Sequence, residues 1–230
     1  LAACFDSPEI AAAGGTVIDA APRTWAERAY VGTCRIGVGT LQGRPLIGNN
    51  MCFRGELARG LRFEEALVYG CDEDELAWRL EALGYRFRFA PAAIVQHDHP
   101  LTVRGYLRMA WRQGTGSARY GYKRGFYLGR DLLLLFAAPA ALPLALLDLR
   151  LLVLPLGLLG LQLVAMTLNE IVFKGKKPGA ALVALPLVLF FNLVKAASVL
   201  TILLRIAAGR EPALVRSKQL WRERLANHGR

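Results

Sequence analysis

Tyr69-Gly70-Cys71-Asp72-Glu73-Asp74-Glu75-Leu76-Ala77-Trp78-Arg79-Leu80 is the stretch on which the reading of this chain turns. Four carboxylates stand directly after a glycine turn. Leu76, Leu80 and Leu83 then recur at helical spacing, with Trp78 alongside, up to Gly84. The pattern predicts a helix over 72–83 that opens on negative charge, where the helix dipole stabilises it. Tyr85-Arg86-Phe87-Arg88-Phe89 alternates strictly, which predicts a half-buried strand with its arginines on the other face.

Upstream, Leu46-Ile47-Gly48-Asn49-Asn50-Met51-Cys52-Phe53-Arg54 reads as a strand entered through a tight turn, for which Gly-Asn-Asn supplies the backbone freedom. The stretch from Gly37 to Pro45 is too rich in glycine for regular structure and reads as a loop. Thr24 is placed to cap a helix that runs to Tyr30, with Trp25 and Tyr30 as core contacts. Ser7-Pro8-Glu9 is a helix-start signal, so residues 7–13 are expected to be helical, with Gly14-Gly15 ending the helix and Thr16 to Asp19 forming a short strand. Downstream, Ala92 to His97 suits another short strand. From Leu101 to Gln113 basic and aromatic residues mix along a helix that fits a membrane interface.

The 230 residues are 54% hydrophobic, and the excess is unevenly placed. Residues 131–147, 151–168 and 180–206 are apolar runs whose length suits a bilayer better than a core. Three crossings would put the basic tail opposite the first half of the chain. Two crossings, or a re-entrant pair followed by others, would keep the loop 174–177 and the tail on one side, in keeping with the positive-inside tendency. Lys195 and Glu170, inside apolar runs, are expected to snorkel rather than to line a lipid pathway.

The net charge of +11 invites a nucleic-acid reading. The basic residues argue against it, because they gather at Lys174, Lys176 and Lys177 and at Arg205, Arg210, Arg216, Lys218, Arg222 and Arg224, beside apolar segments. That placement fits cytoplasmic membrane flanks in contact with anionic lipid. Cys4, Cys34, Cys52 and Cys71 form neither a zinc spacing nor a disulfide framework and suit a reducing compartment. The chain starts at Leu1 without a signal-peptide pattern, so it is expected to be a piece of a longer protein.

Carboxylates as close as Asp72, Glu73, Asp74 and Glu75 raise one another's pKa, which suits a general base that takes a proton from a hydroxyl acceptor. The same four acids also describe a capped, solvated helix start. His97-Asp98-His99-Pro100 offers two histidines on one face of a strand, the geometry of a metal site, and equally a surface turn before the proline.

Gly48-Asn49-Asn50-Met51-Cys52-Phe53-Arg54, the acidic cluster, Leu76-Ala77-Trp78-Arg79-Leu80, Gly84-Tyr85 and His97 stand in an order and spacing that resembles the family 2 glycosyltransferases of the GT-A-type fold, over roughly residues 10–125. The resemblance implies an α/β fold: the C-terminal half of a GT-A-type domain over 1–100, an amphipathic interfacial helix region over 101–130, membrane helices over 131–207 and a basic cytoplasmic tail over 208–230. It implies inverting hexosyl transfer from a nucleotide sugar, with Glu73, Asp72 or Asp74 as the catalytic carboxylate. Asn49, Asn50, Arg112 and Gln113 are implied to contact donor or acceptor, beside Arg108, and His97 to hold a divalent cation, magnesium or manganese.

The partners implied are a nucleotide-sugar donor, a lipid-linked or envelope glycan acceptor and membrane lipid, with no nucleic acid. The place implied is the inner membrane, crossed more than once, with the catalytic domain cytoplasmic. Two departures stand out. The family's Glu-Asp pair falls on Asp72-Glu73, so a Glu stands where an Asp is expected, and residues 1–47 hold no Asp-x-Asp. This chain alone is therefore expected to be inactive. A non-catalytic membrane partner or scaffold that keeps the fold is the alternative; a small transporter is opposed by the polar first half.

Overall fold

The computed structural model describes residues 1–31, 46, 48–67, 70–125, 136–137, 140–173 and 175–228. The glycine-rich loop read over 37–45 lies outside them, as does the start of the first apolar run. In chain order the elements are β1 (Ile10–Asp19), α1 (Trp25–Tyr30), β2 (Met51–Phe53), α2 (Gly55–Leu61), α3 (Asp72–Ala82), β3 (Arg86–His97), α4 (Val103–Arg124), α5 (Val153–Leu168), α6 (Pro178–Ala207) and α7 (Pro212–His228). They fall into two compact units, one made of Leu1–Ala21, Cys34–His99 and Arg205–Arg230, the other of Pro22–Thr33 and Pro100–Leu204.

The first unit is built on a three-stranded sheet of order β2-β1-β3, with β1 antiparallel to β2 and parallel to β3. Residues 7–13 are not a helix: β1 runs unbroken from Ile10 to Asp19. Three alanines favour a helix by propensity, but here they are wholly buried. Ala11 packs under Leu76 and Leu80 of α3, and Ala12 packs with Leu46 and Ala77. A central strand under a helix needs small side chains, and that tertiary requirement overrides the local preference.

Gly14-Gly15 sits inside this strand instead of ending a helix. A β-carbon at Gly15 would collide with the carbonyl oxygen of Ala93 and the side-chain amide of Asn50. β3 is likewise one strand and not two. Its register against β1 slips between Gly15 and Thr16, opposite Ala90 and Ile94, and the slip takes up Pro91, which this edge strand tolerates. Thr16 Oγ1 donates to the Pro91 carbonyl at 2.9 Å, closing the irregularity. Arg86 and Arg88 point outward as expected, towards Glu9 at 3.8 Å and Asp6 at 3.1 Å, exposed pairs that contribute little.

Helix α3 ends at Gly84, whose φ of 85° glycine adopts without strain. The last stretch, 208–230, grouped above as a basic tail, carries α7, whose Leu214 and Trp221 are buried.

In the second unit α1 begins with a capping box: Thr24 accepts from the Glu27 N–H and the Glu27 carboxylate returns to the Thr24 N–H. Glu27 also accepts from the N–H of Arg23 at 2.6 Å and of Leu101 at 3.1 Å, so one buried side chain ties α1 to the start of α4. Tyr30 packs on the core as expected, whereas Trp25 is exposed and spends its indole N–H on the Val183 carbonyl at 3.1 Å.

Two helical stretches, Leu149–Val172 and Pro178–Ala207, are long and apolar enough to cross a membrane. Only 17% and 33% of their most apolar windows are buried within the chain, so their apolar surface is not that of ordinary core helices. Glu170 does not snorkel. It is wholly buried and paired with Lys176 at 2.6 Å, and Lys176 in turn donates to the Ala29 carbonyl at 2.9 Å.

Candidate active site at the start of the acidic helix

The chain enters α3 through two successive left-handed residues, Gly70 at φ 81° and Cys71 at φ 63°. A side chain is disfavoured in that conformation, so Cys71 is held there by its surroundings. Cys71 occupies the cap position and its side chain makes no cap bond, which leaves Asp72, Glu73, Asp74 and Glu75 to fill the first turn.

The four acids do different things. Glu75 is fully buried and bound to Arg79 one turn on, Nε to Oε2 at 2.9 Å and Nη2 to Oε2 at 2.8 Å. Arg79 also donates to the carbonyls of Leu61 at 2.8 Å and Arg62 at 2.6 Å. This pair is structural: it staples the end of α2 to α3, and the i, i+4 spacing of Glu75 and Arg79 is the signal that could have marked it. Asp72, Glu73 and Asp74 remain half-buried at the mouth of the helix.

Burial pushes the Glu73 carboxyl up to about 7, helped by the hydrogen bond that its protonated form donates to Asp72 and by the negative charges of Asp72 and Asp74. It faces the turn before β2, where a β-carbon built on Gly48 would lie 3.5 Å from Glu73 Oε1. Folding thus brings the Gly48-Asn49-Asn50 turn and the acidic helix together. Asn49 is exposed on that turn. Asn50 is buried and braces the strands: its amide donates to the carbonyls of Thr16 at 2.9 Å and Ala93 at 2.7 Å, while the Gly15 N–H donates to its backbone carbonyl at 2.9 Å. Arg54 also works on the backbone, donating to the carbonyls of Ile10 at 3.2 Å and Ser7 at 2.7 Å.

His97 closes β3 beside Asp19, the last residue of β1 and its register partner. The ring Nδ1 of His97 lies 3.5 Å from Asp19 Oδ1, and its Nε2 lies 3.3 Å from His99 Nδ1. Asp19, a strand end with no motif of its own, is therefore a direct neighbour of His97. Among the described residues no group of three or more His, Cys, Asp or Glu side chains is arranged to hold a metal ion. Arg112 and Gln113 lie on α4 in the second unit, Arg112 exposed and Gln113 half-buried, with Arg108 exposed one turn earlier.

The sequence profile of the family described as glycosyl transferase family group 2 matches residues 1–195. The chain belongs to that family. No curated protein and no solved structure matches it. As a family 2 glycosyltransferase domain it is a sugar-transfer protein, in a mixed α/β unit with a small sheet and a helical C-terminal region. Within this glycosyltransferase domain Glu73 is the carboxyl of the acidic turn whose proton affinity burial raises.

Proposed function

We propose that this glycosyltransferase is anchored in the bacterial inner membrane by its apolar helices, and that it moves a hexosyl unit from a nucleotide sugar to a lipid-linked or envelope glycan acceptor, with Glu73 as general base. The observation that carries the reading is a half-buried carboxyl pushed up to about 7, set against the Gly48-Asn49 turn in a family 2 domain. At pH 7 about half of such a carboxyl is ionised, and a base works best with its pKa near the working pH.

Glu73 takes the proton of the acceptor hydroxyl as that oxygen attacks the anomeric carbon. The bond from that carbon to the donor diphosphate breaks, the nucleoside diphosphate leaves with the electron pair, and a single in-line displacement inverts the configuration. Asp72 hydrogen-bonds the Glu73 carboxyl and keeps it protonatable. Asn49, Arg112 and Gln113 are proposed to contact donor or acceptor, the guanidinium fork suiting a diphosphate. Asn50 supports the same turn from within the sheet. No step is assigned to a divalent cation. The lipid-facing acceptor follows from the two helices apolar enough to span a bilayer. The catalytic unit is proposed to lie on the cytoplasmic side, with the basic flanks.

The presence of Glu at the position expected to be Asp favours the second reading, a non-catalytic membrane partner that keeps the fold. Transfer by the intact protein in membranes, over a panel of nucleotide sugars, separates the two. The enzyme reading expects turnover that Glu73→Gln abolishes while donor binding survives. Absence of turnover with every donor, with wild type and variants binding alike, would establish the non-catalytic reading.

A further inference from the structure

Both segments that flank the strained Gly70-Cys71 turn are gripped by the last helix of the chain. On one side, Ser217 of α7 hydrogen-bonds Glu64, whose other carboxylate oxygen accepts from the Ala66 N–H at 3.1 Å and whose backbone carbonyl accepts from Leu67 at 2.9 Å, fixing the turn over 64–67. On the other side, the ring of Trp221 meets Trp78 of α3 edge-on at 5.8 Å and lies 5.9 Å from the Arg79 guanidinium, the group that already binds Glu75, Leu61 and Arg62.

Leu214, one turn before Ser217, is wholly buried, so α7 docks along one face, Leu214, Ser217 and Trp221. The Trp221 indole N–H is buried without an acceptor, so its ring is held by packing and not by a hydrogen bond. The stretch that leads into the helix is hydrogen-bonded as well. Gly209 at φ 69° ends α6 with its N–H on the Ile206 carbonyl and the Arg210 N–H on that of Arg205, and Arg205 pairs with Glu211 at 2.8 Å.

A left-handed cysteine relaxes unless both of its flanks are restrained. We propose that α7, through Trp221 and Ser217, is the positioning element that clamps both flanks of the Gly70-Cys71 turn and thereby sets the place of the Glu73 carboxyl for transfer. Among the described residues the charged groups that face Glu73 are Asp72 and Asp74 of its own helix, and the 48–50 turn opposite brings none. If the clamp is loosened, Glu73 moves outward into water and its elevated pKa falls back towards that of an ordinary carboxylate.

The activity part of this inference rests on the proposed function; the structural part does not. Trp221→Ala, Trp221→Phe and Ser217→Ala are made in the intact protein in membranes, with amide hydrogen exchange over 64–76 and, where wild type turns over, kcat and KM across pH. We expect faster exchange over 64–76 in Trp221→Ala and Ser217→Ala, and near-wild-type exchange in Trp221→Phe, which keeps the aromatic contact. In Trp221→Ala we expect kcat lower by roughly tenfold or more with donor KM little changed, since a small misplacement of a reacting group is enough for such a loss. The acidic limb of its pH profile should move to lower pH. Unchanged exchange over 64–76 overturns the clamp whatever the activity does. Faster exchange with an unmoved pH profile overturns the positioning of Glu73. A wild type that turns over no donor defeats the proposed function and leaves the exchange result to decide the clamp.

Discussion

Glu73 lies against Gly48, with its Oε1 3.5 Å from where a β-carbon on that glycine would stand. The contact joins two stretches that the chain separates, the turn before β2 and the first turn of α3. It also removes water from one side of the carboxyl. Gly48→Ala fits at ordinary van der Waals distance, so the fold should survive. The added methyl desolvates Glu73 further, and the acidic limb of the rate profile should move up from about 7. A profile that stays still or moves down would mean that Gly48 does not shape the base.

Replacement of Glu73 tests its chemistry. Glu73→Gln keeps the shape and loses the proton acceptor, so kcat should fall by about 10²–10⁴-fold with donor affinity retained. Competition with the nucleoside diphosphate in single-turnover experiments reads both quantities.

The same residue couples stability to pH. Its carboxyl is raised from 4.5 to about 7 on folding, so between those values the folded state keeps a proton that the unfolded state has released. Stability from this group is present below 4.5 and declines as pH rises through 7, by on the order of 1–3 kcal/mol. Glu73→Gln removes the dependence. Its Tm relative to wild type should be higher at pH 8 than at pH 5, and equal differences at the two pH values would contradict the elevated pKa.

Arg79→Ala strands the buried Glu75 carboxylate and frees the carbonyls of Leu61 and Arg62. Loss of one partner of a buried pair costs about 3–5 kcal/mol. Denaturant titration should show a loss of that size, with Glu75→Gln milder because the amide still accepts a hydrogen bond.

Gly15→Ala puts a methyl group into the Ala93 carbonyl and the Asn50 amide. Overpacking of this kind costs about 1–3 kcal/mol. Asn50→Ala in the same background should recover part of the loss, because it removes one of the two obstacles; additive losses in the double variant would show that Asn50 does not crowd the glycine.

The helix over 72–82, the turn into β2, the Thr24 cap, the helix after Leu101 and two long apolar helices were all legible, because each rests on local periodicity or capping. β1 was misread for the opposite reason. Ala11-Ala12-Ala13 favours a helix until Leu76 and Leu80 cover it, and those lie far along the chain. The candidate base was legible as one of several acids. What separates Glu73 from Glu75 is burial and partner, an Arg one turn on for one and an acidic neighbour for the other, and neither is a property of composition. Asn50 has a duty that its place in the motif does not announce: its amide ties strands, donating to the carbonyls of Thr16 and Ala93.

The chain changes unit four times, at 21/22, 33/34, 99/100 and 204/205. A ribosome therefore releases the sheet and the acidic helix early, then all of the apolar helices, and only afterwards the segment that carries Trp221. The unit that holds Glu73 is completed only after the apolar helices have been made. A version cut before the first apolar run would retain Asp72, Glu73, Asp74 and Glu75 and still lack α7, which belongs to their unit, so deletion of the apolar region with a linker to residue 205 is the better route to a water-soluble form.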